Sequence, residues 1–130
     1  MRNSQKRGFM SITFRDFPLS EAIQRAIAEV GYTEPTPIQA QSIPLILEGK
    51  DVIGRSHTGT GKTAAFGLPA IEMIDPELEG VQVLALCPTR ELAMQAAAEV
   101  EKFARYKKGV KVAAVFGGAS MEKQIFQLKK

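Results

Sequence analysis

The sequence predicts an α/β fold in which helices cover a parallel β-sheet. Segments with apolar residues at helical spacing alternate with short apolar runs along the 130-residue chain, and this alternation is typical of proteins with parallel sheets. The run at residues 81–87 is nearly continuous, as expected of a strand that is buried on both faces. Hydrophobic residues make up 45% of the chain, which is enough to build a core and excludes global disorder.

Five helices and three strands are predicted from the apolar periodicity and from capping residues. The helices are expected between Ser20 and Gly31, between Thr36 and Gly49, from Lys62 to about Ile74, between Thr89 and Gly109, and from Ser120 onward. Pro44 lies inside the second helix and is expected to kink or divide it. The strands are expected at residues 52–55, 81–87 and 110–116.

Composition excludes several classes of protein. No apolar run approaches the ~20 residues that span a bilayer, and the basic N-terminus is not followed by an apolar signal core, so neither a membrane protein nor a secreted one is expected. One cysteine and one histidine allow no intrachain disulfide and no metal cluster. A reducing cytoplasm is the expected compartment.

A basic run without acidic residues lies at the end of the fourth predicted helix, although the net charge of the chain is only +3. Its cations are Lys102, Arg105, Lys107, Lys108 and Lys111. Such a patch can contact phosphates. Cations are also favoured at the C-terminal end of a helix, where they are simply solvated. Charge alone favours the second interpretation.

A phosphate-binding loop is predicted between the first strand and the third helix, which is the context that this motif requires. Its residues are Ser56, His57, Thr58, Gly59, Thr60, Gly61, Lys62 and Thr63. Glycines let the backbone wrap a polyphosphate with inward N–H groups, and the helix N-terminus adds about half a positive charge. Lys62 is expected to reach the β- and γ-phosphates, and the Thr63 hydroxyl to ligate Mg²⁺.

The strict pattern begins with glycine, whereas this chain has Ser56, a residue small enough for the loop to close. His57 is interpreted as a surface residue on the outer arc of the loop, with a catalytic role as the alternative.

Further motifs accompany the loop in a fixed order. They are Phe14, seventeen residues before Gly31; the stretch from Gly31 to Gln39, GYTEPTPIQ; the stretch from Pro88 to Ala93, PTRELA; and the pair Gly117-Gly118. From about Phe14 onward the chain resembles the DEAD-box ATP-dependent RNA helicases, in which these are the isolated aromatic, the Q motif, motif Ia and the GG element. The resemblance implies a RecA-like P-loop NTPase lobe with a parallel sheet, truncated at its C-terminal side.

The resemblance implies a site for ATP and Mg²⁺. Gln39 would bond the edge of adenine through its amide, which donates and accepts at once, and Phe14 would stack on the base. Together with residues 56–63 these form the expected ATP-binding set, in which Lys62 and Thr63 are the catalytic candidates. The residues themselves offer an alternative for Gln39, since the stretch from Thr36 to Gln39 also matches a helix capping box. The two roles can coexist.

The resemblance also implies contacts with the RNA backbone. Pro88, Thr89 and Arg90 open a helix whose amides can meet a phosphate, and Gly117 and Gly118 would allow close approach to the same strand. Contacts with phosphates carry no base information, so RNA binding is expected to be independent of sequence. An ordinary charged helix start is the alternative for Arg90.

The expected organisation is a disordered basic leader over residues 1–10, a helical Q-motif region over 11–50 and a partial ATP-binding lobe over 51–130. The Asp-Glu-Ala-Asp box does not occur in the chain. The complete protein is expected to couple ATP hydrolysis to RNA unwinding. Residues 1–130 alone are expected to hydrolyse ATP negligibly, because an arginine finger elsewhere contributes ~10³–10⁵ in rate.

Two alternatives to a helicase remain at this point. The first is a P-loop NTPase that acts on something other than RNA, such as a small-molecule kinase. The second is a non-catalytic paralogue that only binds nucleotide or RNA.

Overall fold

The computed structural model describes residues 12–55, 61–117 and 123–124. A short 3₁₀ helix at Phe14–Asp16 is followed by helices α1 (Glu21–Glu29), α2 (Pro37–Leu47), α3 (Lys62–Met73) and α4 (Arg90–Phe103). The first four predicted helices are therefore confirmed, although α4 ends at Phe103, well before Gly109. The predicted leader and most of the fifth predicted helix lie outside the described residues. No helix of the described part is long and apolar enough to cross a membrane.

Local hydrogen bonds explain where α2 and α4 begin. The Thr36 hydroxyl accepts from the backbone N–H of Gln39 at 3.4 Å. The side-chain Oε1 of Gln39 accepts from the backbone N–H of Thr36 at 2.9 Å. This is the predicted capping box, with Pro37 at the first helical position. Thr89 caps α4 in the same way through a 3.1 Å bond from the Leu92 N–H. Pro44 lies inside α2 without dividing it.

The start of α1 is fixed by a distant residue instead of a local cap. Ser20 occupies the capping position as predicted, but its side chain makes no capping hydrogen bond. Its backbone N–H donates to the Glu72 carboxylate, near the end of α3, at 2.9 Å. The two helices are thus joined where α1 begins and α3 ends.

The core is a cluster of apolar side chains from the 3₁₀ helix and all four α-helices. Its buried members are Phe14, Phe17, Ile23, Ile27, Ile43, Ala64, Leu68, Ile71, Phe103 and Ala104. Four aromatic rings run through it in contact, with centroids 5.7 Å apart for Phe17 and Phe14, 5.8 Å for Phe14 and Tyr32, and 6.1 Å for Tyr32 and Phe103. Ring pairs at these separations stabilise the core beyond the area that they bury.

Helices α3 and α4 pack closely and run in the same direction. A Cβ atom at Gly67 would lie 3.2 Å from Val100 Cγ2, so a glycine permits the approach of the two helices. Lys107, four residues after the end of α4, donates to the carbonyl of Ile71, which lies four residues after Gly67 in α3, at 2.7 Å. At a rise of about 1.5 Å per residue, the start of α3 lies about 7–8 Å and the start of α4 about 15 Å before the Gly67–Val100 contact. Both N-termini therefore lie at the same end of the pair.

The segment that follows α4 is tied to the end of α1. The Tyr106 hydroxyl donates to the Glu29 carboxylate, Arg105 donates to the same carboxylate at 2.7 Å, and the Arg25 guanidinium lies 4.2 Å from the Tyr106 ring centroid. The Tyr106 hydrogen bond lowers the pKa of Glu29 and raises the pKa of Tyr106. Stability from this contact is therefore lost as the pH falls through the pKa of Glu29 or rises through that of Tyr106.

The prediction of buried strands is not met in the described part of the chain. Residues 52–55, 81–87 and 110–116 form no β-ladder there, and several of their side chains are largely exposed: Ile53 is 96% exposed, Val81 72%, Leu84 77% and Leu86 87%. A parallel strand obtains its hydrogen bonds only from neighbouring strands. None of the three segments pairs with another among the described residues. Several of their apolar side chains therefore stay exposed, and the parallel sheet stays a prediction.

Candidate functional site

The described end of the predicted phosphate-binding loop forms the start of α3. Gly61 precedes the helix with φ 84°, a left-handed conformation that favours glycine. Lys62 is exposed and Thr63 half-buried at the first two helical positions. The first amides of a helix have no intrahelical acceptor and carry partial positive charge, which is the arrangement that binds an anion. Ser56, His57, Thr58, Gly59 and Thr60 lie outside the described residues.

Gln39 joins the start of α2 to the start of α3. Its side-chain Nε2 donates to the Gly61 carbonyl at 3.1 Å, across 22 residues of sequence, while its Oε1 accepts from the Thr36 N–H. The contact is tight, because a Cβ atom at Gly61 would lie 2.8 Å from both Gln39 Nε2 and Thr36 Oγ1. Two helix N-termini are therefore held together by one buried amide.

The side-chain amide of Gln39 can form further hydrogen bonds besides these two. A side-chain amide offers two N–H donors and two lone pairs on its oxygen. Gln39 uses one donor on Gly61 and one lone pair on Thr36, which leaves one donor and one acceptor on the same planar group. The residue is buried, with 3% of its surface exposed. The capping role is confirmed, and a ligand-binding role is compatible with it.

Phe14 belongs to the core in this structure. The residue is 3% exposed, and its ring stacks on Tyr32 with an interplanar angle of 25°. Its N–H donates to the Thr33 carbonyl at 3.2 Å, and its carbonyl accepts from Gln24 Nε2 at 2.8 Å. The structure thus attaches Phe14 to the GYTEPTPIQ stretch through Tyr32 and Thr33, two contacts that no local pattern in the sequence indicates. Stacking of a base on Phe14 stays a prediction.

The start of α4 presents the predicted RNA-contacting residues to solvent. Pro88, Thr89 and Arg90 are all exposed. The Arg90 guanidinium lies 6.0 Å from the ring centroid of Phe116 and 3.7 Å from the Glu91 carboxylate. Because Phe116 immediately precedes Gly117, the structure brings the start of α4 close to Gly117. Gly117 is exposed with open space around it, and Gly118 lies outside the described residues.

The basic run does not form a single cationic surface. The Lys107 ammonium donates to the carbonyls of Ile71, Glu72 and Ile74 at 2.7, 3.0 and 2.8 Å, and Arg105 is paired with Glu29. The interpretation as a solvated end of the fourth helix is therefore wrong for Lys107, whose ammonium bonds the last carbonyls of α3 instead.

Comparison with known proteins identifies the family. The family model described as DEAD/DEAH box helicase matches residues 36–130. This chain belongs to the DEAD/DEAH box helicase family. The DEAD-box ATP-dependent RNA helicase CshA of Bacillus subtilis is 51% identical over 121 residues, which cover 93% of this chain and 24% of that protein. CshA of Streptococcus pneumoniae serotype 4 is 54% identical over 116 residues, covering 89% and 22%.

Two solved structures resemble the chain over the matched part. A DEAD box protein from the hyperthermophile Methanococcus jannaschii matches with a TM-score of 0.83 and 38% identity over 89% of this chain and 32% of its own. The RNA-helicase Prp28 from Chaetomium thermophilum, bound to ADP, matches with a TM-score of 0.77 and 40% identity, covering 89% and 30%. The chain thus spans about a quarter to a third of the length of these relatives.

Gly61→Ala tests the tight contact between the two helix starts. Gly31 is the matched control, because it has a similar φ of 87° and no atom within 4 Å of where a Cβ would lie, whereas at Gly61 two side-chain atoms lie at 2.8 Å. We expect Gly31→Ala to cost about 1–2 kcal/mol through its backbone conformation alone. Gly61→Ala should cost about 1–3 kcal/mol more, because the Cβ atom displaces Gln39 and Thr36. Urea unfolding measures both; equal losses would contradict the described contact.

Proposed function

We propose that this chain is the ATP-binding part of an ATP-dependent RNA helicase. The observation that carries the proposal is the Gln39 side chain, whose amide bonds Gly61 at the N-terminus of α3. One group that can read a base and one helix end that can hold phosphates are thereby fixed next to each other. The names of the relatives, ATP-dependent RNA helicases of Bacillus subtilis and Listeria monocytogenes, support the same function.

The phosphates of ATP are proposed to lie at the start of α3. Lys62 is exposed there and carries the charge that a β- or γ-phosphate would meet. Thr63 offers a hydroxyl oxygen, the type of donor that a hard cation such as Mg²⁺ takes. The described residues contain no group of three or more His, Cys, Asp or Glu that could hold a metal. Thr63 is proposed to ligate the Mg²⁺ that accompanies the nucleotide. Ser56, His57, Thr58, Gly59 and Thr60 are proposed to enclose the phosphates.

Adenine is proposed to be selected by Gln39. The donor and the acceptor that remain on its amide match the edge of adenine, which presents an N–H donor at N6 beside the acceptor N7. Guanine presents two acceptors at the corresponding positions, so one polar group would be left unpaired. The ADP bound to the related Prp28 structure agrees with an adenine nucleotide. Phe14 is proposed to stack on the base.

RNA is proposed to bind along the start of α4 through its phosphates. Arg90 and the amides that follow Thr89 form an exposed, partly positive surface. Pro88, Gly117 and Gly118 are proposed to contact the same RNA strand. In the complete protein this surface would belong to a RecA-like lobe whose parallel sheet includes residues 52–55, 81–87 and 110–116. A reducing cytoplasm is the proposed compartment, in keeping with the single cysteine.

Lys62→Ala is expected to weaken ATP binding by about 10- to 100-fold, because a charge-assisted contact with phosphate contributes about 1.5–3 kcal/mol. Lys50→Ala serves as the control, since Lys50 is an exposed lysine that forms an ion pair with Glu48 on the surface. Isothermal titration calorimetry with ATP and Mg²⁺ measures both variants. Unchanged affinity in Lys62→Ala would remove the basis of the proposed ATP site.

Gln39→Ala is expected to reduce the preference for ATP over GTP by about tenfold or more, because the discriminating hydrogen bonds are lost. The ratio of the two dissociation constants is the measured quantity, since a loss of stability alone weakens both nucleotides equally. Gln41→Ala is the control, as Gln41 lies two residues further on the exposed side of α2. A ratio that stays constant would leave Gln39 with only its capping and linking roles.

Arg90→Ala is expected to weaken binding of single-stranded RNA and to reduce the slope of log affinity against log salt by about one unit, because one phosphate contact is lost. Arg15→Ala removes another exposed arginine, one that is paired with Glu21, and should leave the slope unchanged. Fluorescence anisotropy with two RNAs of unrelated sequence measures both effects. A loss confined to one of the RNAs would contradict recognition of the backbone.

A further inference from the structure

The C-terminal end of α3 is held by one side chain from outside the helix. The Lys107 ammonium lies within 3.0 Å of the carbonyl oxygens of Ile71, Glu72 and Ile74. The last carbonyls of a helix have no intrahelical donor, and a cation at this end is favoured by the helix dipole. An ammonium has three N–H donors, and all three are matched here. Lys107 therefore has no donor left for an RNA phosphate, although it lies in the basic run.

The residues around Lys107 are themselves fixed. Arg105 and Tyr106 both bond the Glu29 carboxylate at the end of α1. On the other side, a Cβ atom at Gly109 would lie 2.7 Å from Pro76 Cβ, so the chain passes closely over the residues that follow α3. The segment that carries Lys107 is thus bonded to the end of α1 and packs against the residues that follow α3.

Helix α3 is accordingly held at both ends by side chains from other elements. At its start, Gln39 bonds the Gly61 carbonyl, and at its end Lys107 bonds the last carbonyls. Between them, Gly67 lets the helix pack directly against Val100 of α4. The hydrogen bonds at both ends of α3 can form together only at one position of α3 along its own axis. That position sets the direction of the first N–H groups of the helix.

We propose that Lys107 is a positioning residue for the nucleotide site, which it controls from the far end of α3. Without the ammonium, the last turn of α3 loses its cap, and the population in which Gly61 is docked on Gln39 decreases. Only the docked population binds phosphate, so the apparent affinity falls in proportion to it. The expected effect on ATP affinity rests on the proposed ATP site, whereas the expected effect on the position of α3 does not.

The experiment compares Lys107→Gln with Lys108→Gln, which removes the same charge from an exposed neighbour. In the absence of nucleotide, we expect faster hydrogen exchange at the Ala65 amide, which donates to the Gly61 carbonyl at 3.0 Å, in Lys107→Gln only. With ATP and Mg²⁺ we expect a dissociation constant about 3- to 30-fold higher in Lys107→Gln. Lys108→Gln should match the unchanged protein in both measurements.

Lys107→Arg is expected to be intermediate, because its planar fork keeps the charge but cannot direct three donors from one nitrogen. If Lys107→Gln does not fold, Lys107→Arg is measured instead. Hydrogen exchange at the Ala65 amide that is as slow in Lys107→Arg as in the unchanged protein would then overturn the inference. In a folded Lys107→Gln, unchanged exchange at Ala65 overturns it as well, as does an equal effect of Lys108→Gln. If the unchanged chain binds no ATP while Ala65 still responds, the ATP site is wrong and the positioning of α3 stands.

Discussion

The hydrogen bond between the Gln39 amide and the Gly61 carbonyl is the contact on which the site depends. It requires a capped α2, because the Thr36 N–H fixes the amide oxygen and thereby turns the nitrogen towards α3. It also requires glycine at position 61, since any side chain there would overlap Gln39 and Thr36. One buried amide thus sets the distance between two helix starts that are 22 residues apart in sequence.

Those parts of the fold that are encoded locally could be predicted from the sequence. The starts of α2 and α4 follow from Thr36 and Thr89, whose hydroxyls bond amides only three residues away. The start of α3 follows from a glycine before a lysine in a recognisable motif. The three strands stay predictions, because the described residues 52–55, 81–87 and 110–116 form no β-ladder. A parallel strand obtains its hydrogen bonds from partners far away in sequence, so a local apolar run cannot establish it.

The candidate site was predictable in its chemistry but not in its internal contacts. Gln39 could be identified as a capping residue and, through resemblance, as a base reader, yet nothing local indicates that it bonds Gly61. The burial of Phe14 against Tyr32 depends on how the 3₁₀ helix folds back onto the chain. For Lys107, the charge pattern suggested a solvated end of α4, whereas its ammonium bonds the end of α3, more than thirty positions earlier in the chain.

The common direction of α3 and α4 has an electrostatic consequence. Helices that lie antiparallel cancel each other's fields, whereas two that run the same way place two ends of about half a positive charge at the same end of the pair. These ends repel each other, which costs free energy. An anion at either helix start would relieve this repulsion. A first anion would therefore change the field that a second one meets at the other helix, even without any movement of the atoms between them.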